Sequence, residues 1–202
     1  MLIAILAQSA TLDADTARAA TACADAWLVA APAEGVSRFL TSSGVGYYLL
    51  QLAAADPQGE PLLTRMSELA HSYKPNPVSL AEAKALMPQC DLRFPMARTT
   101  ELAILPADPF DRDRLCFAVT SIQVGAAQGQ LRAEHDGSAL ERWQPVQRRY
   151  AMRLSGKIPA SQLSGEAVTD SLFGPVMRAS LRIGNFDSIS LSCEAEMKRD
   201  DR

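Results

Sequence analysis

The spacing of apolar residues changes character near residue 90, and that change sets the expected fold. Before it, Leu12, Thr16, Ala19, Cys23, Trp27 and Ala30 recur at three- and four-residue steps, as one face of a helix does. Thr11 is placed to cap that helix and Pro32 to stop it. A second helical pattern runs from about Val36 to Ala55, with Gly44 and Gly46 weakening its middle. Pro61 suits the first turn of a third helix carrying Leu62, Met66, Leu69 and Tyr73. Ser79 and Glu82 form a capping box for a fourth, which Pro88 is expected to end.

Beyond Pro95 the period reads as two. Leu115–Val119 is apolar on both faces, as a central strand would be. Tyr150, Met152 and Leu154 alternate with Arg149, Arg153 and Ser155; Met177, Ala179, Leu181 and Ile183 alternate with Arg178, Ser180 and Arg182. Ile189, Leu191, Cys193, Ala195 and Met197 alternate with serines and glutamates. These segments are expected to be half-buried antiparallel strands. Face parity then requires a loop of three or five residues between the last two; the five-residue version sets Leu181 opposite Leu191 and Arg178 opposite Glu194. The fold expected is therefore α+β. A helical subdomain over 1–90 packs on an antiparallel β-sheet subdomain over 91–202, the two possibly forming one composite domain. The length of 202 residues suits either division and lets a core form without metal or disulfide.

Cysteines at 23, 90, 116 and 193 show no CxxC spacing, which argues against a zinc ribbon or a thioredoxin-type motif. Their sparseness points to buried structural thiols rather than a disulfide framework. The opening run Leu2–Ala7 is short and has no preceding positive charge, unlike a secretory signal. No stretch reaches the length of a membrane helix, so the cytoplasm is the expected location and no membrane contact is expected.

The net charge of -3 conceals an asymmetry. Residues 141–157 carry Arg142, Arg148, Arg149, Arg153 and Lys157 against Glu141 alone, while every other segment is net acidic. On the expected sheet Arg149, Arg153, Lys157, Arg178 and Arg182 share an outward face able to neutralise phosphates. No outward aromatic residue accompanies them for base stacking, and Glu194 and Glu196 are available to pair with them.

Other constellations carry less. Asp108, Asp111 and Asp113 lack the glycine and distal glutamate of a calcium loop and read as a capped turn. His71 and His135 have no nucleophile elbow or activated cysteine beside them in sequence. Ser42–Tyr47 lacks the third glycine and following lysine of a phosphate loop. No catalytic residue, metal site or cofactor is expected. The leading expectation is a non-enzymatic subunit of a larger assembly, binding RNA or DNA through the five cations alongside other protein subunits. The alternatives are a small metal-independent hydrolase or nuclease using His71 or His135, and a protein-binding adaptor or inhibitor presenting Tyr47 and Tyr48.

Overall fold

The computed structural model describes residues 11–56, 61–158 and 166–200; the apolar opening run lies outside them. Eight helices account for the ordered elements among these residues. In chain order they are α1 (Thr16–Ala33), α2 (Arg38–Ala54), α3 (Leu62–Ser72), α4 (Leu80–Arg93), α5 (Pro109–Glu134), α6 (Ser138–Ser155), α7 (Glu166–Ser180) and α8 (Phe186–Asp200).

The first four follow the expected pattern with shifted ends. Asp15, not Thr11, caps α1 by accepting from the Arg18 N–H at 2.8 Å. Ser79 and Glu82 do form a capping box, but α4 continues through Pro88 to Arg93. Helix α1 packs on α2 and α4 through Ala19, Ala20, Cys23, Ala24 and Trp27. The approach to α2 is close: a Cβ on Gly44 would run into the Trp27 indole, whose Nε1 donates to the Thr41 carbonyl at 3.2 Å. Asp25, buried on α1, accepts from the Tyr73 hydroxyl and from Asn76 Nδ2 at 2.8 Å, which ties down the link between α3 and α4.

The C-terminal half corrects the α+β expectation. The segments read as strands lie in helices or their ends: Leu115–Val119 in α5, Arg149–Ser155 in α6, Met177–Ser180 at the end of α7 with Leu181–Ile183 in the turn after it, and Ile189–Met197 in α8. No strand occurs among the described residues, so the hairpin register has no counterpart. The physical reason is visible on α6, where Trp143, Val146, Tyr150 and Leu154 point inward at helical spacing. Met152, which completed the alternation, is exposed. On α8 the serines that looked outward-facing are buried. Ser192 donates to the Ser188 carbonyl at 3.0 Å and Ser188 to the Asn185 carbonyl at 3.1 Å, so nearby backbone absorbs the polarity of these two, while the Ser190 hydroxyl is buried without a partner.

A second core joins α5, α6, α7 and α8 to Leu50 and Ala53 of α2 and to Leu62 and Met66 of α3. The helices of residues 11–93 therefore complete the core of the rest. Two disulfides correct the expectation of free thiols: Cys23–Cys90 joins α1 to α4, and Cys116–Cys193 joins α5 to α8. Each links the first and last helix of its half. Among the described residues no helix is long and apolar enough to cross a membrane.

A candidate partner-binding cleft

No sheet gathers the five cations among the described residues, and the helices use several of them internally. Arg153 Nη1 lies 3.3 Å and Lys157 Nζ 2.7 Å from the two oxygens of Asp113, a carboxylate only 3% exposed. Arg153 also pairs with Asp200 and covers the Tyr150 ring. Arg149 is half-buried on α6, and Arg178 donates to the Ala54 carbonyl at 2.9 Å. Arg182 is exposed in the turn after α7. Of the three aspartates, Asp108 caps α5, Asp111 pairs with Arg114, and Asp113 anchors this network.

Both histidines are exposed. His71 Nδ1 lies 2.7 Å from the Ser67 carbonyl, and His135 ends α5 with a left-handed φ of 57°. Tyr47 and Tyr48 are interior residues, which corrects their assignment to a contact surface. The Tyr47 hydroxyl donates to the Leu181 carbonyl at 3.0 Å, and Tyr48 meets Phe94 edge-on at 5.7 Å. Burial pushes the Tyr48 hydroxyl well above the usual phenol range.

One recess lies between the α4–α5 link and the second half of α8. It is a cavity of about 580 Å³ lined by Leu102, Ala103 and Leu105 on one side and by Ser192, Glu196 and Arg199 on the other. The link is held at both ends. Asn185 Nδ2, at the start of α8, donates to the carbonyls of Ala97 (3.1 Å) and Thr99 (2.9 Å). At the far end Arg112 reaches the Pro106 carbonyl, and Asp108 begins α5.

Between these anchors Leu102–Pro106 runs without a bend and outside any helix. Pro106 favours an extended Leu105 before it. Burial alternates along the segment as it would on a strand: Ala103 and Leu105 pack on the second core, while Leu102 is 60% and Ile104 87% exposed. No backbone N–H or C=O of Leu102–Leu105 is hydrogen-bonded among the described residues.

The wall opposite is charged and fixed. Arg112 Nε sits 2.7 Å from Glu196, whose other oxygen lies 3.2 Å from the Tyr150 hydroxyl. Arg199 is exposed at the rim and makes no ion pair among the described residues. Lys198, also lining the recess, pairs with Glu194 at 2.8 Å. Arg112, Lys198 and Arg199 against Glu196 leave the lining positive.

The arrangement offers unpaired backbone groups, two exposed apolar side chains and positive charge to an extended chain laid along it. Sequence reading passed over Glu101–Pro106. Its signal was a four-residue alternation ended by proline, too short to separate from an ordinary interhelical link. Comparison with protein-family models, curated proteins and solved structures finds no match.

Proposed function

We propose that this chain is a non-enzymatic binding protein of an oxidising compartment, and that it holds an extended segment of a partner protein along Leu102–Pro106. The observation that carries the reading is the row of unbonded backbone groups at Leu102–Leu105 with Leu102 and Ile104 facing out beside an open cavity. An added strand satisfies such groups by main-chain hydrogen bonds and draws specificity from alternate side-chain pockets. The positive lining favours a partner segment that carries carboxylates. Two disulfides support an oxidising compartment over the cytoplasm, where reducing systems keep thiols free. Nucleic-acid binding through Arg149, Arg153, Lys157, Arg178 and Arg182 has weaker support, because Asp113 and Asp200 between them neutralise two of the five cations.

The test is selection from a random peptide display library on the oxidised protein, followed by titration against the double variant Leu102→Asp/Ile104→Asp. Enriched peptides should combine alternating apolar residues with carboxylates. Each exposed apolar side chain is worth about 1–2 kcal/mol on burial, so the double variant should bind at least ~10-fold more weakly with unchanged melting. Enriched peptides that bind both proteins equally, or a failure to enrich any, would overturn the proposal.

A further inference from the structure

A second recess, separate from the cleft at Leu102–Pro106, is built where the start of α8 meets α2 and the α5–α6 turn. It consists of two adjoining cavities of about 260 and 380 Å³ that share Leu40 and Asp187 as a common wall. Trp27, Ser43 and Arg98 line the first; Gln130, Asp136 and Arg142 line the second.

The polar groups of these walls divide cleanly. Arg98 lies 3.5 Å from Glu34, and Arg142 lies 2.7 Å from Glu194. Asp136 accepts from the Ser138 N–H and from Gln130 Nε2, both at 2.9 Å. Three groups able to accept are left over among the described residues, beside the Trp143 Nε1–H and the exposed Thr100 hydroxyl. Ser43 is only 5% exposed, and its Oγ has no hydrogen-bond partner. Gln130 Oε1 is buried without one, although Nε2 of the same amide is engaged. Asp187 makes neither a hydrogen bond nor an ion pair.

Two of the leftovers accept only, and the serine hydroxyl accepts as readily as it donates. Glu34, Asp136 and Asp187 against Arg98 and Arg142 leave the combined lining one charge negative. An anion is therefore disfavoured. The complement is a cation with several N–H donors. A guanidinium has five such donors, whereas an ammonium is a compact point charge.

We propose that this double recess binds a guanidinium group, with Asp187 as its counter-charge and Ser43 Oγ and Gln130 Oε1 as further acceptors. The group is either the side chain of an arginine presented by a partner or a small free guanidine. The inference is independent of the cleft at Leu102–Pro106, and the Leu102→Asp/Ile104→Asp protein should retain it.

The experiment is calorimetric titration of the oxidised protein with N-acetylarginine amide, methylguanidinium and the uncharged isostere N-acetylcitrulline amide. N-acetylarginine amide should bind saturably and the citrulline compound should not. Asp187→Asn should weaken binding by about tenfold or more, and Ser43→Ala by a few-fold. Thermal unfolding of each variant confirms that it is folded. Methylguanidinium binding as tightly as the arginine compound identifies the free guanidine as sufficient; clearly weaker binding identifies an arginine side chain. Equal binding of the citrulline compound, undiminished binding by Asp187→Asn, or no saturation below about 10 mM overturns the proposal.

Discussion

Removing the two disulfides should cost this protein most of its stability. The bridges close loops of 67 and 77 residues in the unfolded chain. Loop-closure entropy assigns about 4.5 kcal/mol to a bridge over either length. The two loops do not overlap in sequence, so the contributions add to about 9 kcal/mol, against the ~5–15 kcal/mol that holds a typical domain folded. All four sulfurs are fully buried, so a reduced native state also has to repack around separated thiols. Breaking one bridge, as in Cys23→Ala with Cys90→Ala, should lower the unfolding free energy by about 3–5 kcal/mol and leave a folded but weakened protein. Reducing both should abolish the cooperative transition or move its midpoint to very low denaturant. The assay is urea unfolding followed by circular dichroism, with and without dithiothreitol, beside a mass-spectrometric count of alkylatable thiols. Four free thiols in protein made in an oxidising host, or a midpoint that reductant does not move, would refute the reasoning.

Three further outcomes are expected. Asp113→Asn leaves Arg153 and Lys157 without their shared partner; with both cations partly solvated, the loss should be about 2 kcal/mol in urea unfolding. Gly44→Ala drives a methyl into the Trp27 indole and should destabilise by about 1–3 kcal/mol, read from the same transition and from tryptophan fluorescence. Burial raises the Asp187 carboxyl above its ordinary value, with the nearby Arg142 charge partly opposing. A raised carboxyl contributes stability that is present below its unfolded pKa and lost as pH rises through the folded one. Asp187→Asn should therefore gain stability relative to the parent between acidic and neutral pH, and a pH-independent difference between the two midpoints would contradict this.

The helices of the first ninety residues were legible because each carries a long apolar stripe and at least one end signal, such as the Ser79–Glu82 box. Their ends were less so. Asp15 displaced Thr11 as the cap of α1, and α4 tolerates Pro88 within it. The helices of the second half were misread because windows of five to nine residues do not separate period two from period 3.6 when small polar residues fill the core. Ser188, Ser190 and Ser192 are buried on α8 beside Ile189 and Cys193, so polarity there does not mark the solvent face. On α5, Asp108 followed by Pro109 was a helix-start signal taken for an isolated turn. The disulfides were missed because sparse cysteines far apart in sequence look like core thiols until helix packing brings α1 to α4 and α5 to α8. The candidate cleft was illegible for a similar reason. Nothing in Glu101–Pro106 reveals that Asn185, about 80 positions later, fixes its entry.

Amide hydrogen exchange at Leu102–Leu105 tests the central claim most directly. In the free oxidised protein these four amides should exchange near the rates of an unstructured chain, since no hydrogen bond protects them. Saturation with a library-selected peptide should slow alternate amides of the segment by about 10-fold or more, as main-chain pairing along one edge requires. Protection of the segment in the free protein, or peptide binding that leaves its exchange unchanged while slowing amides elsewhere, would contradict the account.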